Sequence, residues 1–205
     1  MMTSFATPRF ILASGSVTRL RVLRDAGFNP DVVVSGVSEE VGGIETARAV
    51  VVLAERKASA VAGGLPDTLI LACDSMLDLD GVALGKPGSS ADAIDMWQRL
   101  SGNRGILHTG HCLIDTRTNT TISRLDSTVV RFGTPTGAEI NAYVASAEPL
   151  TLAGAFSIDG RSAPFVDGIE GVPSNVLGIS LPVVRCMLND VGVTITDLWR
   201  GTRSG

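Results

Sequence analysis

Lysine is almost missing from this chain: its 17 basic residues include only two lysines, Lys57 and Lys86. A formal net charge of −4 argues against a sequence-independent nucleic-acid binder. Any work on phosphates must rest on a few placed cations. Cysteine is also sparse. Cys73, Cys112 and Cys186 are far apart and form no CxxC pair, so neither a disulfide frame nor a zinc site is indicated, and reduced thiols in a cytosolic protein are expected. Cys73, inside an apolar run, reads as a small buried hydrophobe and not a nucleophile. The two histidines, His108 and His111, are spaced as H-x-x-H but enter a strand-like run, where residues three apart face opposite sides; a metal pair is disfavoured. No apolar run approaches the length of a membrane span, and the N-terminal residues lack the basic-then-apolar form of a secretory signal. A GxGxxG fingerprint and a P-loop are both absent.

What the chain does have is a marked first segment. Ile11-Leu-Ala-Ser-Gly-Ser-Val-Thr-Arg19 runs from an apolar strand into small hydroxyl residues and then a helix-like stretch with Arg19, Arg21 and Arg24. A strand that delivers Ser14, Gly15 and Ser16 to a helix N-terminus offers N–H groups and hydroxyls to an anion, and Arg19 can clamp a phosphate. An ordinary serine-capped strand–turn–helix fits the same residues.

Further along, the pattern predicts strands at Phe10–Ala13, Asp31–Val34 and Thr68–Cys73, with helices over Val17–Ala26 and Thr46–Ala62. Asp78-Leu-Asp-Gly81 has turn chemistry. A helix starts at Ser89 or Ser90 and runs to Leu100; strands follow at Gly110–Asp115 and Ser123–Phe132, then helices at Gly137–Ser146 and Leu181–Asp190. Early alternation giving way to antiparallel hairpins predicts an α/β protein: a mixed twisted sheet flanked by helices, two lobes around a central cleft, one domain over residues 1–205.

Charged residues fall at the ends of apolar segments. Asp74 is expected to terminate the strand before it and project into a crevice, Lys86 precedes the rigid Pro87, and Lys57 lies in a helix. Each also has an ordinary explanation, as a turn cap, loop decoration or a solvated helix lysine. Together with Glu39 and Glu40 they suggest metal-assisted displacement at phosphorus: cations on the phosphates, carboxylates for metal or water.

The ordered set LASGSxxRxxxL, VxE, LAxxKA, AxDS, GKP, LSG then TGH, and YxxSxEPLxxAGAF resembles the Maf nucleotide pyrophosphatases from about Phe10 to Leu188, with Ala72–Leu77 and Pro173–Val176 most similar to actinobacterial members. The resemblance implies an inosine triphosphate pyrophosphatase-like fold and a cytoplasmic, often dimeric enzyme associated with septum formation. It implies cleavage of nucleoside triphosphates, including non-standard ones, between the α and β phosphates with a divalent metal, Mg²⁺ or Mn²⁺. It assigns Asp74 as catalytic base, Ser14, Arg19, Lys57 and Lys86 to phosphates, and Glu39 with Asp74 to the metal. A nucleotide-sensing regulator of division with weak catalysis is the alternative. Where the family commonly has Ser-Pro-Arg-Arg, this chain has Ser16-Val17-Thr18-Arg19. Thr18, Ser75 and Asp159 occupy positions that set base preference in the family. The small Thr18 and acidic Asp159 lead to the expectation of a roomy base site that favours bases with N–H donors.

Overall fold

The computed structural model describes residues 8–199. The first seven residues, part of the N-terminal stretch expected to lack a signal, lie outside the described residues. The apolar run Phe10-Ile-Leu12 forms β1 (Arg9–Leu12), which lies parallel to both β2 (Asp31–Val32) and β3 (Thr68–Leu79). β3, β5 (Arg104–Asp115) and β6 (Thr120–Phe132) continue as a long antiparallel meander, and β7 (Val166–Glu170) closes the far edge. The seven-stranded sheet has the order β2-β1-β3-β5-β6-β7, with β4 (Val82–Leu84) paired to β3. This is the mixed α/β sheet expected from the sequence.

Two-residue periodicity along β3 sorts its side chains between layers. Leu69, Leu71 and Cys73 join one core with Leu12, Leu23, Phe28, Met187 and Leu188, beneath α1 (Val17–Asp25) and α6 (Leu181–Asp190). Ile70 and Ala72 face the other way, into a second core with Ala54, Ala58 and Val61 of α2 (Thr46–Ala62). Towards the end of β3, Leu77 and Leu79 enter a third core under α3 (Ser90–Leu100) and α4 (Gly137–Ala145). Its centre is the fully buried Trp97. Its indole N–H donates to the Ala155 carbonyl (2.9 Å), and its ring meets Phe132, Tyr143 and Phe165 edge-on.

Asp74 does not end a strand; it sits inside β3, which runs on to Leu79. β1 pairs with β3 only as far as Leu71, and β4 pairs only from Leu77, so residues 72–76 have no strand partner on that edge. The fall in hydrophobicity at Asp74 therefore marks a notch in the sheet and not a terminus. β5 likewise starts at Arg104, before the expected Gly110, and the stretch after Ala155 holds β7 and the short α5 (Pro173–Val176), which the sequence pattern did not reveal. Among the described residues no helix is long and apolar enough to cross a membrane.

Candidate active site

The notch opens into a cavity of about 680 Å³. Its first wall is the β1–α1 connection. Ser16 caps α1 by accepting from the Arg19 N–H (3.3 Å), and the buried Ser14 Oγ accepts from the Ser16 N–H (3.2 Å). The start of α1 therefore borders the cavity with the helix end that favours anions. Arg19 reaches across the notch. Its Nε donates to the Gly178 carbonyl (2.7 Å), Nη1 to Ser14 Oγ (3.2 Å) and Nη2 to Ser75 Oγ (3.0 Å).

The second wall is α2 over the sheet. Its buried stripe runs Ala49, Val50, Leu53, Ala54, Lys57, Ala58 and Val61, a helical repeat in which Lys57 occupies a core position. Gly110 of β5 makes this possible. A Cβ there would stand 2.3 Å from the Val50 carbonyl oxygen, so the helix backbone rests directly on the strand. Gly110 is also the cross-strand partner of Asp74, and Lys57 Nζ lies 2.5 Å from Asp74 Oδ1 and 2.6 Å from Glu39 Oε1. Lys57 and Asp74 side chains are 10% and 9% exposed, whereas Glu39 is 60% exposed. Lys57 is thus no solvated helix lysine; it compensates a buried carboxylate. The hydrogen bond from Lys57, opposed by partial burial, holds the Glu39 carboxyl below its usual range, with Lys86 and Arg19 adding attraction.

Ser14, Thr18, Arg19, Glu39, Lys57, Asp74, Ser75 and Lys86 all border this cavity. Asp159 does not. Its carboxylate is paired with Arg21 of α1 and accepts from the Ser157 hydroxyl. Burial would raise its pKa, but the Ser157 hydroxyl and Arg21 outweigh that and hold it low. Thr151, Leu152, Phe156, Val176 and Leu177 also line the cavity, and all but Thr151 are apolar.

Among the described residues no group of three or more His, Cys, Asp or Glu could hold a metal by itself. His108 and His111 are on β5 with separate partners: His108 meets Ser127 (2.8 Å), and the buried His111 Nε2 accepts the Ser180 N–H (2.8 Å). Burial, reinforced by Arg19, lowers the His111 pKa to about 4, so the ring is neutral. Burial pushes the Cys73 thiol up to about 12, as suits a core residue and not a nucleophile. Two further groups have no counterpart in the sequence pattern: Gly178, whose carbonyl accepts from Arg19, and Asn175, whose carbonyl accepts from Thr109. Backbone acceptors leave no side-chain signature; the Pro173-Ser-Asn-Val176 segment was the available signal.

A family model described as Maf-like protein matches residues 9–191. A relative from Streptomyces coelicolor named nucleoside triphosphate pyrophosphatase is 52% identical over 201 residues, covering 97% of this chain and 98% of its own length. A relative of the same name from Salinispora tropica is 46% identical, covering 95% and 89%. Among solved structures, the Staphylococcus aureus Ham1 protein aligns with a TM-score of 0.49 and 13% identity, over 89% of this chain and 99% of that one. With its motifs, its notched sheet and a match spanning nearly the whole length, the chain belongs to the Maf-like protein family.

Proposed function

We propose that this protein hydrolyses nucleoside triphosphates between the α and β phosphates, releasing a nucleoside monophosphate and pyrophosphate. The observation that carries this reading is the buried Asp74–Lys57–Glu39 cluster facing the Ser14–Arg19 wall across one cavity. The names of the family relatives support it. In this reading the triphosphate lies along the start of α1, with Ser14, Arg19 and Lys86 as its donors and counter-charges. Asp74 accepts the proton of a water that attacks the α phosphorus, and the bond to the bridging oxygen breaks as pyrophosphate departs. Lys57 pairs with Asp74 and keeps it oriented. The base end lies towards the apolar wall of Leu152, Phe156 and Val176.

Glu39 and Asp74 are hard oxygen donors. Two carboxylates completed by substrate phosphates suit Mg²⁺ or Mn²⁺, which keep few protein ligands in such sites. When bound there, the ion would neutralise phosphate charge as the anhydride breaks. We place the protein in the cytoplasm as a single-domain homodimer with two lobes about this cleft, acting on free nucleotides and not on nucleic-acid polymers, in keeping with the net charge of −4 and the three free cysteines. Incubating the pure protein with each triphosphate and Mg²⁺ or Mn²⁺, and assaying pyrophosphate and monophosphate, tests the activity. Release of orthophosphate instead, or binding without turnover as a sensor would show, overturns it. Light scattering tests the dimer.

A further inference from the structure

The Thr109-Gly110-His111 tripeptide of β5 is prominent in the sequence, yet none of the three borders the cavity. Gly110 accounts for itself by admitting α2, and His111 by accepting the Ser180 N–H. Thr109 is fully buried and its hydroxyl has two partners. Its Oγ1 donates to the Asn175 carbonyl (3.2 Å) and lies 3.0 Å from Ser75 Oγ. A hydroxyl has one proton to give. Since Thr109 gives its own to Asn175, Ser75 must donate to Thr109. That leaves the Ser75 lone pairs facing Arg19 Nη2, which donates to them at 3.0 Å.

The direction of this chain is therefore fixed: Arg19 to Ser75, Ser75 to Thr109, Thr109 to the backbone of α5. Its anchor is rigid. The Asn175 amide donates to the Leu107 carbonyl (3.2 Å) and to Thr128 Oγ1 (3.1 Å), tying α5 to β5 and β6. Without Thr109 Oγ1, the Ser75 hydroxyl loses the acceptor that fixes its proton, so the lone pairs to which Arg19 Nη2 donates are no longer held in one orientation.

We infer that Thr109 is a positioning residue that sets the Arg19 guanidinium for phosphate binding by fixing the polarity of Ser75. This rests on the reading of the cavity given above. The test uses inorganic tripolyphosphate as the probe, its dissociation constant measured by calorimetry with Mg²⁺, alongside KM and kcat for a hydrolysed triphosphate. Thr109→Val, which keeps shape and removes the hydroxyl, is expected to weaken tripolyphosphate binding and raise KM on the order of tenfold, with a smaller change in kcat. Thr109→Ser should restore both. In an Arg19→Ala background Thr109→Val should add nothing, because the two act as one unit. Parent-like affinity in Thr109→Val, a loss that Thr109→Ser does not restore, or full additivity with Arg19→Ala overturns the inference. Should Thr109→Val fail to fold, Ser75→Ala breaks the same chain and should weaken tripolyphosphate binding while adding nothing to Arg19→Ala; parent-like affinity or full additivity overturns the inference. If Arg19→Ala itself binds tripolyphosphate like the parent, the phosphate reading of the cavity fails first and the inference falls with it.

Discussion

Three side chains at the notch differ in what their loss should do, and burial decides the difference. Asp74→Asn removes the proposed base but leaves Lys57 paired with Glu39, so the fold should survive while turnover falls by roughly two or more orders of magnitude. Turnover near the parent rate with correct folding would remove Asp74 from its role. The two lysines part company. From sequence alone both are expected to be dispensable for stability if they only hold phosphates. However, Lys57→Ala leaves the carboxylate of Asp74 buried without its cation, a loss of about 3 kcal/mol or more, or roughly 6–12 °C in Tm for a chain of this size. Lys86 is exposed beside the buried Pro87, so Lys86→Ala should cost activity and leave Tm unchanged. Thermal scans of the two variants beside triphosphate assays check both halves. An unchanged Tm for Lys57→Ala would return that lysine to a purely ligand-facing role.

At the scale of elements, what could be read in the sequence followed from periodicity. The bounds of α2 and α6 match the expected Thr46–Ala62 and Leu181–Asp190, because each has an apolar stripe at helical spacing with clear ends. Most of the candidate residues also converge, Ser14, Arg19, Glu39, Lys57, Asp74 and Lys86 bordering one cavity. What remained hidden depends on pairing between distant segments. No local pattern shows that β1 leaves β3 at Leu71 and β4 joins it at Leu77, yet that gap is what lets the buried Asp74 border the cavity. The seating of α2 is equally non-local, since it depends on a missing Cβ in β5. Gly110→Ala should therefore force α2 off the sheet and move Lys57 from Asp74. The expected cost is about 3 kcal/mol, read as a Tm loss of roughly 6–12 °C, together with loss of turnover. Gly63→Ala is the control: its added Cβ meets nothing within 4 Å, and it should stay within about 0.5 kcal/mol of the parent. Equal stability of the two variants would mean that the close approach of α2 is not needed.

Across the whole molecule, the cavity is bounded by segments far apart in sequence, and one ion pair links two of them from outside. Arg21 belongs to α1, whose first turn borders the cavity; Asp159 follows Phe156 and Ser157, which border it too. The expectation that Asp159 reads the base therefore meets a direct competitor, a structural tie between the walls. Both accounts predict a response to Asp159→Gln, but of different kinds. If Asp159 faces the base, the substitution shifts the ratio of kcat/KM between triphosphates towards pyrimidines, because an amide can donate to a carbonyl edge that a carboxylate repels. Arg21→Ala should then leave the ratio alone. If the pair is a tie, both substitutions loosen the walls alike and change KM for every triphosphate by a common factor. With side chains 50% and 31% exposed, the pair is well screened, and that factor should be no more than about fivefold. Asp159 is paired with Arg21 and Ser157 and is not among the residues that border the cavity, which leads us to expect the second outcome. A panel of triphosphates run on the parent, Arg21→Ala and Asp159→Gln decides it: a changed substrate ratio confined to Asp159→Gln would restore the base-reading role, and a uniform KM change in both variants would establish the tie.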